Sequence, residues 1–151
     1  MKTPQWIKKL GGHAGELYVA AELSKRGILN SLLPENFSDD DIMIGKKGDN
    51  SLGYIQVKSC HPDRGDSFRL DESDEKWEKV AKNNQFMVFV WLGSPTKNES
   101  PRYWIARKKD VGTACKKKRP KNLNNKERRF WLKHLDANWE NNWDVLKEFL
   151  P

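Results

Sequence analysis

Apolar positions along the chain follow a helical period at the start and strand-like alternations and runs afterwards. From Gly12 to Arg26, residues Leu17, Ala20, Ala21 and Leu23 recur at helical spacing, with Tyr18 and Val19 widening the apolar face. Gly27 then supplies a helix stop. Ile28 to Leu33 is a short apolar run closed by Pro34 and reads as a strand. Asp39 to Ile44 and Ser51 to Ser59 are two β-rich runs joined by Gly, Asp and Asn residues over 45–50, a hairpin signal. The charged stretch from Asp71 to Asn84, patterned around Trp77, Val80 and Ala81, predicts a helix. Phe86 to Leu92 is unbroken β-branched and aromatic sequence, suited to a strand buried on both faces. A turn-rich segment over 93–101 leads to a strand at Tyr103 to Ala106.

Lys126 to Leu135 and Trp139 to Leu150 read as two C-terminal helices. Phe130, Trp131 and Leu135 form one stripe, and Trp139, Trp143, Leu146 and Leu150 the other, both suited to core packing. The expected order is α-β-β-β-α-β-β-α-α. It describes a single α/β domain over residues 1–151, with a central mixed β-sheet flanked by helices and C-terminal helices at about 126–150.

Composition supports a folded domain. The chain is polar, with 36% hydrophobic residues and a mean hydropathy of −0.89. Seven Trp, six Phe and three Tyr nevertheless supply large buried areas and argue against disorder. Cys60 and Cys115 lack zinc-site spacing and read as reduced thiols of a cytosolic protein. The N-terminus has no apolar leader segment, and no window approaches the length of a membrane span. The expectation is a cytoplasmic protein with no membrane partner.

Charge changes the picture more. The net charge is +7, and the segment Lys108 to Arg129 holds ten Lys or Arg against two acids. A basic segment on a near-neutral body is the footprint of a phosphate-backbone binder, with a solvated face kept for solubility as the alternative. Lys116, Lys117, Lys118, Arg119, Lys121, Arg128 and Arg129 would grip the backbone without reading sequence.

The sharpest local chemistry is Asp41 at the start of one strand, with Gln56 and Lys58 on its hairpin partner. Residues two apart on a strand share a face, so Gln56 and Lys58 are expected to project together, beside Asp41. Mg²⁺ is hard and takes oxygen ligands, which the Asp41 carboxylate, the Gln56 amide oxygen and the Val57 carbonyl would supply. Mn²⁺ would substitute. Lys58 would orient or deprotonate an attacking water and stabilise developing negative charge on a phosphodiester. An Asp and a Lys on a solvated hairpin face is the competing reading of the spacing. Asp39 and Asp40 are further candidates for the metal carboxylate; Asp41 is preferred because it directly precedes the apolar strand. Ser59 is a candidate phosphate contact, and His13 and His61 are candidate proton carriers.

Gly12-His13-Ala14-Gly15-Glu16, followed by Ala20-Ala21, Leu23 and Gly27, resembles the first helix of the PD-(D/E)XK nuclease superfamily. The likeness is greatest to its Holliday-junction-resolvase-like and restriction-endonuclease-like members. Asp41-Ile42-Met43-Ile44 and Ile55-Gln56-Val57-Lys58-Ser59 then fall where that superfamily has its D and (D/E)xK motifs. The resemblance covers Gly12 to about Ser59 and continues more loosely to Leu92. It implies a restriction-endonuclease-like core and an Mg²⁺-dependent DNA endonuclease, structure-specific and acting as a homodimer. Glu16 would reach the metal from the first helix, Asp41 would be the central ligand and Lys58 the catalytic lysine. Gln56 departs from the usual Asp or Glu and removes one negative charge. Two alternatives stay open: a binding module of the same fold that has lost cleavage, and an RNA-cleaving toxin.

Overall fold

The computed structural model describes residues 2–61, 65, 67–70, 76–118 and 128–151. Helix α1 (Gln5–Lys25) begins earlier than the apolar pattern suggested, with Pro4 at the N-cap, where its missing N–H costs nothing. Its buried stripe is Gly15, Val19 and Leu23. Leu17 and Tyr18, placed by the sequence on the apolar face, are 47% and 43% exposed, in line with Trp6 and Leu10 on an outward stripe. Gly27, at φ +75°, ends the helix as expected.

Five strands form the main sheet. They are β1 (Leu29–Leu32), β2 (Ile42–Gly45), β3 (Leu52–Cys60), β5 (Gln85–Trp91) and β6 (Arg102–Arg107). Their spatial order is β1-β2-β3-β5-β6, and only the β3–β5 pairing is parallel, which makes the sheet mixed. The segment between β3 and β5 holds β4 (Ser67–Leu70) and a short helix, α2 (Trp77–Val80). Strand β5 divides the core by its pleat. Phe86, Val88 and Val90 pack with Val19 and Leu23 of α1; Met87 and Phe89 pack on the other side with Phe68, Trp77 and Val111.

Several elements differ from expectation. The helix expected over Asp71 to Asn84 is the single turn Trp77–Val80 among the described residues, while 71–75 lie outside them. The basic segment opens with a helix that its Lys-rich composition did not signal, α3 (Lys108–Lys118), whose Val111 and Cys115 face inward four residues apart. Where a helix was expected over Lys126 to Leu135, Arg128–Trp131 is a strand, β7, antiparallel to β4. The partner edge offered by β4, itself unanticipated, overrides the local helical pattern.

The last segment is helical but tighter than expected, with 3₁₀ turns at Ala137–Trp139 and Trp143–Phe149. Asn141, at φ +53°, separates them. This segment covers the α1 side of the sheet: Trp143, Leu146 and Phe149 are buried, and Tyr103 and Trp143 pack at 5.5 Å between ring centroids. Core packing therefore describes Leu135, Trp143 and Leu146; the side chains of Phe130 and Trp131 are not described. Cys60 and Cys115 are buried thiols. Among the described residues, no helix is long and apolar enough to cross a membrane.

Gly15 permits the contact that positions the site. A Cβ built there would lie 1.7 Å from Ser59 Oγ and 3.0 Å from Ser59 Cβ, so only glycine lets α1 approach β3 this closely. Gly15→Ala is expected to cost about 1–2 kcal/mol, because overpacking outweighs the better helix propensity of alanine. Combining it with Ser59→Ala should recover part of the loss. Urea unfolding of the two single variants and the double variant checks this, and additive losses would exclude a direct clash.

Candidate functional site

Asp41 sits where β2 begins, at an irregular point in its pairing with β3. The register matches Ile42 with Ile55, yet the Asp41 N–H also donates to the Ile55 carbonyl, at 2.9 Å. Two residues of one strand thus oppose one of the other, as in a β-bulge, which re-aims side chains. Asp41 Oδ2 accepts the Val57 N–H at 2.7 Å. Because N–H and C=O of a strand residue leave on the same side, the Val57 carbonyl also faces Asp41.

Glu16, one residue past Gly15 on α1, meets Asp41. Burial first, then the Asp41 charge and a hydrogen bond to it, push the Glu16 carboxyl from its usual 4.5 up to about 7. The nearby Glu35 charge adds to this. Asp41 is also raised, chiefly by burial; the Val57 N–H and the Lys58 ammonium work against that rise. Their hydrogen bond and mutual repulsion thus favour one proton held within the pair.

A stability consequence follows. Glu16 is protonated more readily folded than unfolded, so the metal-free protein loses stability as pH rises from 4.5 through about 7. Glu16 is only partly buried, which limits the effect. The melting temperature in EDTA is expected to drop by a few degrees between about pH 5 and about pH 7.5. Glu16→Gln should flatten that slope; an unchanged slope would place its origin elsewhere.

Gln56 and Lys58 are register partners of Met87 and Phe89, so the pleat sets them on the sheet face opposite α1. Gln56 and Lys58 do project together, as the spacing suggested, but on the face opposite to that of Glu16. Lys58 acts electrostatically on Asp41, whereas Gln56 is not among the groups that do. Gln56 is 9% exposed, and among the described residues its buried Oε1 has no hydrogen-bond partner. A buried acceptor left without a donor costs about 1–3 kcal/mol.

The other expected contacts are placed unevenly. Ser59 Oγ is buried under α1 rather than offered to solvent and, among the described residues, has no hydrogen-bond partner. His13 is exposed on α1, and His61 follows β3, partly buried. Lys116 is exposed on α3 and pairs with Glu78 at 3.4 Å. Lys117 and Lys118 belong to α3, and Arg128 and Arg129 to β7, without described side chains. Arg119 and Lys121 lie outside the described residues.

Lys108 is a correction to the basic patch. It is 3% exposed, and its Nζ lies 2.9 Å from Asp40 Oδ1 and 5.2 Å from the centre of the Trp77 ring. One of the ten cations is thus neutralised in the core. The same contact separates the surroundings of Asp40 from those of Asp41. Asp40 is committed to Lys108, while Asp41 turns to Glu16 and Val57. Sequence reasoning missed this pair because its partners are 68 residues apart.

Among the described residues, no group of three or more His, Cys, Asp or Glu converges on a metal position. The donors that meet are the two carboxyls, with the Val57 carbonyl on the same edge of β3; the Gln56 amide oxygen lies on the other sheet face. All are oxygens, which fits Mg²⁺ or Mn²⁺ rather than zinc. Fold and site together define an α/β protein with a mixed five-stranded sheet and a carboxyl pair where β2 meets β3. No protein-family model, curated protein or solved structure matches the chain.

Proposed function

We propose that the protein is a divalent-metal-dependent DNA endonuclease with a restriction-endonuclease-like core of the PD-(D/E)XK type. The observation that carries this reading is the contact between Glu16 and Asp41, two carboxyls both held above their ordinary pKa. Like-charged groups so placed destabilise a fold unless a proton or cation lies between them. Glu16, Asp41 and the Val57 carbonyl would hold the ion, and Gln56, on the other sheet face, would stand outside that set. Bound Mg²⁺ would supply Lewis acidity and a water of lowered pKa. The chain's own part is positioning. Asp41 is fixed by the Val57 N–H, Glu16 takes or releases a proton near neutral pH, and Lys58 places positive charge where a phosphate would gain negative charge.

The element order also supports the reading, since the aspartate motif opens β2 and the Gln56-x-Lys58 motif lies on the adjacent β3. Cutting both strands of a junction requires two such sites, so the proposal includes a homodimer. The exposed stripe of Trp6, Leu10 and Leu17 on α1 is a surface that supports it. Burial of Gln56 on the face away from α1 favours one second reading, a DNA-binding module that has lost cleavage.

The deciding experiment is cleavage of labelled linear duplex, single-stranded, nicked and four-way-junction DNA in Mg²⁺, Mn²⁺ or EDTA. Cutting that requires the metal would support the endonuclease. Binding without cutting on every DNA would leave the binding module, and cutting of RNA alone would point to an RNA-cleaving toxin.

A further inference from the structure

A groove of about 290 Å³ lies beside the candidate site, on the sheet face that carries Gln56 and Lys58. Its walls include Phe37 from the β1–β2 connection and Tyr54 of β3, with Lys82, Asn84 and Gln85 on the rim and Asp40 at one end. Asp40 immediately precedes Asp41. Tyr54 is two residues before Gln56 on the same strand face, a separation of about 6.5 Å. Asp40 and Tyr54 thus tie the groove to the chain segments that carry Asp41 and Lys58, on the sheet face opposite Glu16.

Its chemistry is specific. Phe37 is 66% exposed, an aromatic ring that lines the groove and reaches solvent. The rim is fixed by its own hydrogen bonds: the Lys82 N–H donates to Gln85 Oε1 at 2.9 Å, and the Tyr54 N–H to the Asn84 carbonyl at 2.9 Å. Asn84 Nδ2 donates to the Leu52 carbonyl at 3.0 Å, which leaves its Oδ1 as an uncommitted acceptor. Two aromatic walls, an amide oxygen and a lysine match one ligand class: a flat heteroaromatic ring with polar edges, attached to a phosphate. The volume lies at the lower edge of small-molecule clefts, roughly 300 Å³, which suits one nucleobase rather than a larger ligand.

We infer that this groove receives one unstacked nucleobase of single-stranded or distorted DNA, next to the phosphodiester presented to Asp41 and Lys58. The inference rests on the endonuclease reading for its substrate. It adds that continuous duplex is the poor substrate, because a paired base cannot enter the groove without being extruded. Phe37 is a specificity-determining residue that stacks on the base, and Lys82 faces the attached phosphate.

The test uses the full chain in EDTA, so that no cutting is needed, with oligonucleotides carrying 2-aminopurine either unpaired in a single strand or fully paired in a duplex. Phe37→Ala is expected to weaken binding of the single strand about 5- to 100-fold and to leave duplex binding unchanged. Phe37→Trp should restore the single-strand affinity and the stacking-dependent fluorescence change. Because Phe37 is exposed, folding is not at issue. Equal weakening on both DNAs, or none on the single strand, would overturn the proposal. Phe37-dependent binding by a protein that never cuts DNA would keep the groove and remove the nuclease. Metal-dependent cutting with Phe37→Ala binding unchanged would do the reverse.

Discussion

Lys58→Ala is expected to lower the rate of Mg²⁺-dependent DNA cleavage about 10²- to 10⁴-fold, while DNA affinity changes only a few-fold. Lys58 lies on β3, partly buried, and its charge is one of the terms that holds down the pKa of Asp41. Removing it withdraws positive charge both from the carboxyl pair and from the place where a pentacoordinate phosphate would gather negative charge. The loss should fall on the single-turnover rate, because an interaction made only in the transition state lowers kcat rather than raising KM. Lys58→Arg should not restore full activity, since a guanidinium cannot surrender a proton near neutral pH. Asp41→Asn should be comparably severe. It keeps an acceptor for the Val57 N–H but removes the charge that a cation needs. Single-turnover cleavage with the variants beside the unaltered protein checks this, after circular dichroism has confirmed their folding. Wild-type rates in either variant would remove this site from the chemistry.

Lys108→Met is expected to be the most destabilising of the substitutions considered, at about 3–5 kcal/mol, or roughly 6–20 °C in melting temperature. The Lys108–Asp40 pair is nearly sealed from water, with side chains 4% and 9% exposed, so removing one partner strands the other charge inside the protein. Replacing both by apolar residues, Asp40→Leu with Lys108→Met, should recover most of the loss, because no orphaned charge remains. Thermal melts of the unaltered protein, the single variant and the double variant at about pH 7 check both parts. A single variant as stable as the unaltered protein would mean that Asp40 reaches water when its partner is gone.

Local periodicity carried much of the sheet. Phe86 to Leu92 had to be buried on both faces, and it is the strand between β3 and β6. The two β-rich runs around Gly45 to Asn50 became the β2–β3 hairpin. The contacting carboxyls were also among the candidates, Asp41 from its place before an apolar strand and Glu16 only through a resemblance in the first helix. Contacts between distant segments were not legible. The β4–β7 pair joins strands that flank the last two strands of the central sheet in sequence, and neither has enough residues to establish a period. The rotation of α1 could not be read from a face on which Leu17 and Val19 compete; the closeness permitted by Gly15 decides it. The one-residue irregularity that separates the roles of Asp40 and Asp41 has no compositional trace, because three consecutive aspartates look alike until a backbone turns each a different way.

The placement of β5 has a consequence for the unfolded chain. Phe86-Met87-Val88-Phe89-Val90-Trp91 has no charge, no proline and no glycine, the composition that favours intermolecular cross-β stacking when exposed. In the folded sheet both of its edges are occupied, by β3 on one side and β6 on the other. Strand β6 is close in sequence, but β3 must return across the segment holding β4 and α2. One edge can therefore be capped early, while the other stays open until that longer loop closes. During this interval the chain is most exposed to self-association, and what prevents aggregation is the speed of loop closure rather than any guard residue within the strand.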